Sequence, residues 1–431
     1  MYNDVKGRKT MKNNYSSFVS EEDMQKELNK VSSKEDIKKG GIPISYDENA
    51  LYIDDAYGHS LVIGNTGSGK TQTITLPKIW TSIVAGESIV VDDSKSEIYN
   101  KFEEDLQKNG YKTIKFDFQE FSGNKWNPLK LAFELYKDNN LDDAVMILEK
   151  TAYYVFNDYN DNNADPFWIN CVRQLFVGTI LYIIEKEDRL PSIQEVSSYA
   201  SKITVDDFNV LSDDSPAKVF LRVIMTAPTE TRGSIYSVFN NSIMCYAYTN
   251  KITDFLSETD FNIEDLLNEK TALFIVDGHK KNYVTNLISL FIEELYYICD
   301  KKKNTRKINV ILDEFHDFNK IDNFSKLLSD TRYLNMEFTL ISSSLHQLNE
   351  KYGETSLEHI ISHFVRVIYL LANDEFTLEY ISNMCGNKNL NEKLISATEL
   401  KLLKQFEAVV LKNRQLPFKT KLLPFYMYTI K

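Results

Sequence analysis

Cysteine is scarce and scattered. The 431-residue sequence has four, Cys171, Cys245, Cys299 and Cys385, none in C-x-x-C spacing. That excludes a disulfide frame or a cysteine zinc site and fits a reduced, intracellular chain with small buried thiols. Long apolar runs are also missing. No stretch reaches the roughly 18 residues expected of a membrane-spanning helix. The cations Lys6, Arg8, Lys9 and Lys12 have no apolar segment behind them, so no signal peptide is read. Positive charge is not in excess either: 50 Lys and Arg against 62 Asp and Glu leave a net charge of -12. A surface that coats nucleic acid everywhere is thereby excluded, though a local basic patch or pore is not. Lys301–Lys307 and the last 31 residues are such basic regions, with a solvated face as the plainer reading. No internal repeat or low-complexity tract is found.

What is present is a chain long enough for two or three structural units. Its most informative stretch is Gly64-Asn65-Thr66-Gly67-Ser68-Gly69-Lys70-Thr71, preceded by the apolar Leu61-Val62-Ile63. It matches G-x-x-x-x-G-K-[ST] at every fixed position. A strand is predicted before it and a helix after it, from Thr71 to about Val84. Glycines let the backbone approach a polyphosphate, and the loop N–H groups and helix N-terminus then face that charge. Such a loop binds ATP and Mg2+: Lys70 reaches the β- and γ-phosphates and the Thr71 hydroxyl sits on Mg2+.

A second half of the site follows much later. Val310-Ile311-Leu312-Asp313-Glu314, with Ile308, is an apolar run ending in two acids. Asp313 is expected to hold Mg2+ and Glu314 to act as general base toward water. A helix N-cap is the plainer alternative for these acids. Gln347, after the strand ending near Ser344, is a candidate sensor of hydrolysis or simply a surface helix residue. Arg332 is a candidate arginine finger across a subunit interface or a surface ion pair.

The element pattern predicts an α/β, RecA-like P-loop NTPase with a mostly parallel central sheet and an inserted all-α domain. Residues 1–40 read as a loose polar arm with a short helix near 20–32, ending at Gly40-Gly41-Ile42-Pro43. Residues 41–134 and 251–431 form the discontinuous nucleotide-binding domain. Its strands are predicted at 51–53, 61–63, 88–93, 112–118, 271–277, 308–314, 338–344 and 365–371, several with acidic C-ends where such sheets bind ligands. Helices are predicted at 97–109, 282–300 and 375–385, and a basic, β-rich tail closes the chain. Residues 135–250 show helical periodicity without a strand, with helices over 142–156, 165–187, from 191, and 216–227. The loops between them are acidic (Asp158, Asp161, Asp165, Asp206, Asp207, Asp213, Asp214).

These motifs, in this order, resemble the type IV coupling proteins of the TraG/TraD class. Gly64–Thr71 resembles their phosphate loop. Val90-Val91-Asp92-Asp93-Ser94-Lys95-Ser96-Glu97-Ile98-Tyr99 resembles their V-V-x-D-P-K-G-E-L-Y segment. Trp126-Asn127-Pro128-Leu129 resembles W-N-P-L, Asp165-Pro166-Phe167-Trp168 resembles D-P-F-W, and Leu312-Asp313-Glu314-Phe315 resembles L-D-E-F. Thr331-Arg332-Tyr333 stands at G-R-G, and Leu345 to Gly353 resembles S-x-x-Q-L-x-x-x-Y-G. The likeness covers about residues 45–400. It implies a homo-hexameric, DNA-stimulated ATPase of conjugation and type IV secretion that takes a relaxase–single-stranded DNA complex to the secretion channel. It implies a substrate-contacting role for 135–250, a finger role for Arg332 and a sensor role for Gln347. The sequence departs from the pattern at Ser94, Ser96, Thr331, Tyr333 and Ser343, and it has no N-terminal membrane anchor. The expected location is therefore cytoplasmic, or at the inner face of the membrane through a tether protein. Two other readings use the same residues: an FtsK/HerA-like translocase, and a nucleotide-binding adaptor that recruits substrates with little turnover.

Overall fold

The computed structural model describes residues 15–156, 165–278, 281–302 and 304–430. The cations Lys6, Arg8, Lys9, Lys12, Lys303 and Lys431 and the acids Asp158 and Asp161 lie outside the described residues. The chain divides into two compact units, Met1–Ala85 with Phe338–Lys431, and Gly86–Glu337. The central strand pairs of each unit are parallel, so the α/β class read from the sequence is the one found.

In the first unit, Ser60–Gly64 pairs in parallel with Met336–Ser342 on one side and Arg366–Leu371 on the other. Glu407–Lys412 and Phe418–Lys421 extend the sheet antiparallel. Ser60–Gly64 is buried at every position, as its unbroken apolar run requires of a central parallel strand. Beyond the phosphate loop the chain turns first through a wide π-type turn, Thr71–Thr75, in which Leu76 N donates to Thr71 O. The helix Leu76–Val84 follows. Pro77, which has no N–H to offer Thr73 O, comes directly after the wide turn.

The expected loose arm differs from what is found over its described part, 15–40. The helix Glu21–Lys26 is capped by Ser20, whose Oγ accepts from Asp23 N at 3.2 Å. The strand Asn29–Val31 pairs antiparallel with Leu51–Ile53, which also pairs with Ile42–Tyr46. Thr81 Oγ1, on the helix after the phosphate loop, accepts from Gly41 N at 3.0 Å, and the buried Lys78 Nζ donates to Gly40 O at 3.2 Å. The segment is polar in composition, but three of its apolar residues, Met24, Val31 and Ile37, are buried.

In the second unit, the strands run Ile308–Leu312, Ser88–Asp92, Thr271–Val276, Lys112–Asp117, all parallel, with the short Ser122–Gly123 antiparallel at the end. Between residues 130 and 268 every described element is a helix. The expected helices are found at Leu141–Val155, Pro166–Glu187, Ile193–Ala200 and Pro216–Met225. Five others, Lys130–Lys137, Val205–Val210, Thr229–Ala247, Asn250–Phe255 and Asp265–Asn268, have no counterpart among the expected helices.

One sequence expectation is corrected here. Pro166–Glu187 is in fact long and apolar enough to cross a membrane by length and composition. However, 61% of its apolar window is buried in the protein, because it is the central helix of this bundle. It meets Pro216–Met225 so closely that a Cβ at Gly178 would lie 2.8 Å from Leu221 Cγ.

The Trp126–Leu129 segment joins sheet to helices. Trp126 stacks on Phe116 at 6.1 Å. The wholly buried Asn127 donates through Nδ2 to Pro191 O and Ser257 O, both at 3.0 Å. Asp165 caps its helix by accepting from Phe167 N at 2.9 Å. The described cations of the basic Lys301–Lys307 segment are tied down rather than free. Lys301 Nζ lies 3.0 Å from Asp143, Lys302 pairs with Glu264, Arg306 Nη1 donates to Gly86 O at 2.6 Å, and Lys307 Nζ lies 2.9 Å from Glu337.

Trp126 Nε1 also donates to Glu294 Oε2 at 2.8 Å. Burial pushes the Glu294 carboxyl up to about 8, against the opposing pull of that hydrogen bond. The folded protein therefore holds a proton here that the unfolded chain releases at ordinary carboxylate pH. The stability this proton supports is present at low pH and is lost as pH rises toward about 8. Glu294→Gln is expected to flatten the fall in Tm between pH 5 and pH 8. A Tm profile parallel to that of the parent would remove Glu294 as its source.

Candidate functional site

The phosphate loop is shaped by contacts within the first unit. Asn65 N donates to Leu371 O at 2.9 Å and Ser68 N to Asn65 O at 3.0 Å. Gly69 O closes the loop by accepting from Thr73 N at 2.9 Å and Thr73 Oγ1 at 3.0 Å. Gly67 and Gly69 have φ of +84° and +95°, the left-handed region that glycine enters without strain. At Gly64 a Cβ would lie 2.6 Å from Ser68 Oγ and 3.2 Å from Leu370 Cδ1. Ser68 Oγ is buried with no hydrogen-bond partner. Lys70 is buried at 7% exposure and Thr71 begins the wide turn.

Two sequence candidates prove to be joined. In the amide orientation its surroundings dictate, Asn65 Nδ2 donates to Ser343 O at 2.8 Å, and its Oδ1 accepts from Asn373 Nδ2 at 3.1 Å. Ser343 Oγ in turn donates to the Gln347 side-chain oxygen at 2.6 Å. Gln347 is exposed on Leu345–Tyr352, and Ser343 links it to the phosphate loop.

In the second unit, Asp313 and Glu314 follow the buried strand Ile308–Leu312. Glu314 N donates to Asp313 Oδ1 at 2.9 Å. Glu314 has φ +47° and makes no capping bond to the turn Phe315–Asp317, which disfavours the N-cap alternative for it. His316, not picked out from the sequence although it stands two residues on, has Nδ1 3.5 Å from Glu314 Oε2 and Nε2 3.5 Å from Asp317 Oδ1. Arg332 is exposed at the end of Phe324–Thr331, beside Tyr333 at 90% exposure. Asp330, at the same helix end, accepts from Tyr296 Oη at 2.9 Å. Asp93 anchors the helix Glu97–Lys108, accepting from Ile98 N at 3.1 Å and Tyr99 N at 2.8 Å, and burial raises its pKa against those bonds.

Residues 8–419 match the family described as Type IV secretory system Conjugative DNA transfer. The chain belongs to that family. Solved structures agree in fold. This conjugative DNA transfer family member is similar to the plasmid coupling protein TrwB in complex with ADP and Mg2+: 16% identity, TM-score 0.68, covering 95% of this chain and 94% of that one. Against the TrwBdeltaN70 trigonal form with sulphate the figures are 15%, 0.69, 100% and 98%. Against VirB4 of Thermoanaerobacter pseudethanolicus they are 13%, 0.61, 89% and 96%. No curated protein matches.

Two of the departures from the coupling-protein pattern, Ser96 and Ser343, have local explanations. Ser96 stands where that pattern has glycine, yet it keeps a left-handed φ of +57°. The two N–H bonds to Asp93 brace the turn against that strain. Ser343 replaces a glutamine, but its backbone and hydroxyl bridge Asn65 to Gln347.

Proposed function

We propose that this conjugative DNA transfer family chain is an ATP-hydrolysing coupling protein that moves a relaxase-bound single strand of DNA toward a secretion channel. The observation that carries the nucleotide part is the buried, unpartnered Ser68 hydroxyl inside a loop in which no described atom lies within 4 Å of the place a Cβ on Gly67 would take. A phosphate fits that chemistry, and TrwB has been solved in complex with ADP and Mg2+ and with a non-hydrolysable ATP analogue. The loop N–H groups from Gly64 to Thr71 and the Lys70 ammonium would hold phosphates, and Thr71 and Asp313 would hold Mg2+. When bound, ATP supplies the phosphoanhydride and Mg2+ offsets its charge. Glu314 takes a proton from the attacking water. Exposed Arg332 is available to a neighbouring copy in a homo-hexamer, and Gln347 senses the loop through Ser343 and Asn65.

In this reading 41–134 with 251–431 is the nucleotide-binding domain, 135–250 contacts the protein substrate, and 1–40 is the N-terminal segment. The protein works in the cytoplasm or at the inner membrane face through a tether protein. The test is steady-state ATP hydrolysis with and without single-stranded DNA, near physiological salt, over protein concentrations that span assembly. A DNA-stimulated rate that rises with assembly is expected. Tight ATP binding without any DNA response at any concentration would replace the motor by a recruitment adaptor.

A further inference from the structure

The turn before the strand Glu407–Lys412 holds an aromatic residue in an unfavourable backbone conformation. Phe406 has φ +70°, a left-handed value that a bulky side chain adopts only when its surroundings impose it. The surroundings here do. Lys404 N donates to Glu407 Oε2 at 2.9 Å and Glu407 N donates back to Lys404 O at 2.9 Å, which closes the turn on itself. Leu422 N, beyond the neighbouring strand, donates to Phe406 O at 2.8 Å. Glu407 is also in register with Lys421 across the sheet. The backbone around Phe406 is thus fixed by these three hydrogen bonds, which sets the direction in which its side chain leaves.

That way leads to the phosphate loop. A Cβ placed on Gly69 would lie 2.7 Å from both Cδ1 and Cε1 of the Phe406 ring. The ring therefore presses on the second fixed glycine of the loop, the residue before Lys70. Gly69 is left-handed at φ +95°, and its carbonyl receives both Thr73 bonds that end the loop. Glycine is required there twice over, by its φ and by the ring.

We propose that Phe406 is a positioning residue for the phosphate loop: its ring, held out by the strained Lys404–Glu407 turn, packs Gly69 into the conformation that presents Lys70 and the loop N–H groups to a nucleoside triphosphate. The assignment rests on the nucleotide reading of this loop for its second half only. The packing of the loop is testable with no nucleotide present.

Two measurements on the full chain separate the cases. The first is amide hydrogen exchange over residues 64–73 without nucleotide, for the parent, Phe406→Leu, Phe406→Ala and Phe406→Gly. The second is the Kd of ADP for the same proteins, with Tm as a control on folding. Phe406→Ala and Phe406→Gly are expected to exchange faster in the loop and to bind ADP at least tenfold more weakly, at little change in Tm. Phe406→Leu, which keeps an apolar group against Gly69, is expected to stay near the parent in both. Phe406→Gly is the sharper variant, because it relieves the backbone strain while removing the ring. Should it exchange and bind like the parent, the turn merely accommodates a strained residue and the proposal is overturned. Loss of ADP binding by Phe406→Leu equal to that of Phe406→Gly would overturn it too, since any disturbance of the turn would then suffice. A parent protein that binds no ADP would overturn the nucleotide reading instead, while faster loop exchange in Phe406→Ala would still support the packing role.

Discussion

Glu314→Gln is expected to lower the rate of ATP hydrolysis by about 10²–10⁴-fold, the usual worth of a general base, while ATP binding survives. The argument begins with the backbone. Ile308–Leu312 is buried at all five positions, which fixes the strand end. Asp313 follows and takes the Glu314 N–H on Oδ1 at 2.9 Å. That bond accompanies a left-handed φ of +47° at Glu314, a conformation that costs a non-glycine residue ~1–3 kcal/mol. A glutamate that merely capped the following turn would need no such strain, and its side chain makes no capping bond. Its carboxylate is instead about a third exposed, with His316 Nδ1 3.5 Å away.

Glutamine keeps the size and the hydrogen-bonding amide oxygen but accepts no proton. Single-turnover hydrolysis therefore reads the base, and equilibrium titration of ATP reads the loop, separately. A variant that hydrolyses within about tenfold of the parent would leave Glu314 outside the range of a general base. One that fails to bind ATP would show that the strained turn supports binding rather than chemistry.

Much of this was legible because it is local. The loop Gly64–Thr71 carries its own geometry in its glycines, and positive φ is found at Gly67 and Gly69. The strands Ser60–Gly64, Ser88–Asp92, Thr271–Val276 and Ile308–Leu312 are mostly apolar and buried at every position because parallel strands are covered on both faces. What was not legible depends on partners far along the chain. Phe406 reads as an ordinary loop residue until its ring is seen against Gly69. Asn373 gains its meaning only beside Asn65. Thr229–Ala247 is rich in Ser, Asn and Thr and shows little apolar periodicity, although Ile235, Phe239, Ile243 and Tyr246 make a buried stripe. Asn127 looks like a turn residue, but it is wholly buried and holds two backbone carbonyls. The basic Lys301–Lys307 segment suggested a nucleic-acid contact by composition alone. Its described members spend their charge on Asp143, Glu264 and Glu337 and on the Gly86 carbonyl.

Asp54→Ala is expected to destabilise the first unit by ~3–5 kcal/mol, the typical cost of leaving a buried charge unpaired. Asp54 is 2% exposed and ends the strand Leu51–Asp54. Its Oδ2 lies 3.0 Å from Arg366 Nε and 3.1 Å from Lys412 Nζ. Arg366 and Lys412 face each other in register on neighbouring antiparallel strands. Without the carboxylate, two buried cations would repel one another with no water to screen them. Arg366 also donates through Nη1 to Ser60 Oγ at 3.0 Å and through Nη2 to Ala56 O. It thereby fixes the start of the strand that delivers Gly64 to the phosphate loop.

Asp54→Asn keeps a polar group of the same shape without its charge and should fall between the parent and Asp54→Ala. Pairing Asp54→Ala with Arg366→Met removes one stranded cation and should recover part of the loss, because the two sites are coupled. Chemical denaturation followed by a probe in residues 338–431 is the measurement. A Tm or midpoint unchanged in Asp54→Ala would mean that water reaches the two cations. A double variant no better than the sum of its singles would mean that Arg366 is held by Ser60 and Ala56 rather than by the carboxylate.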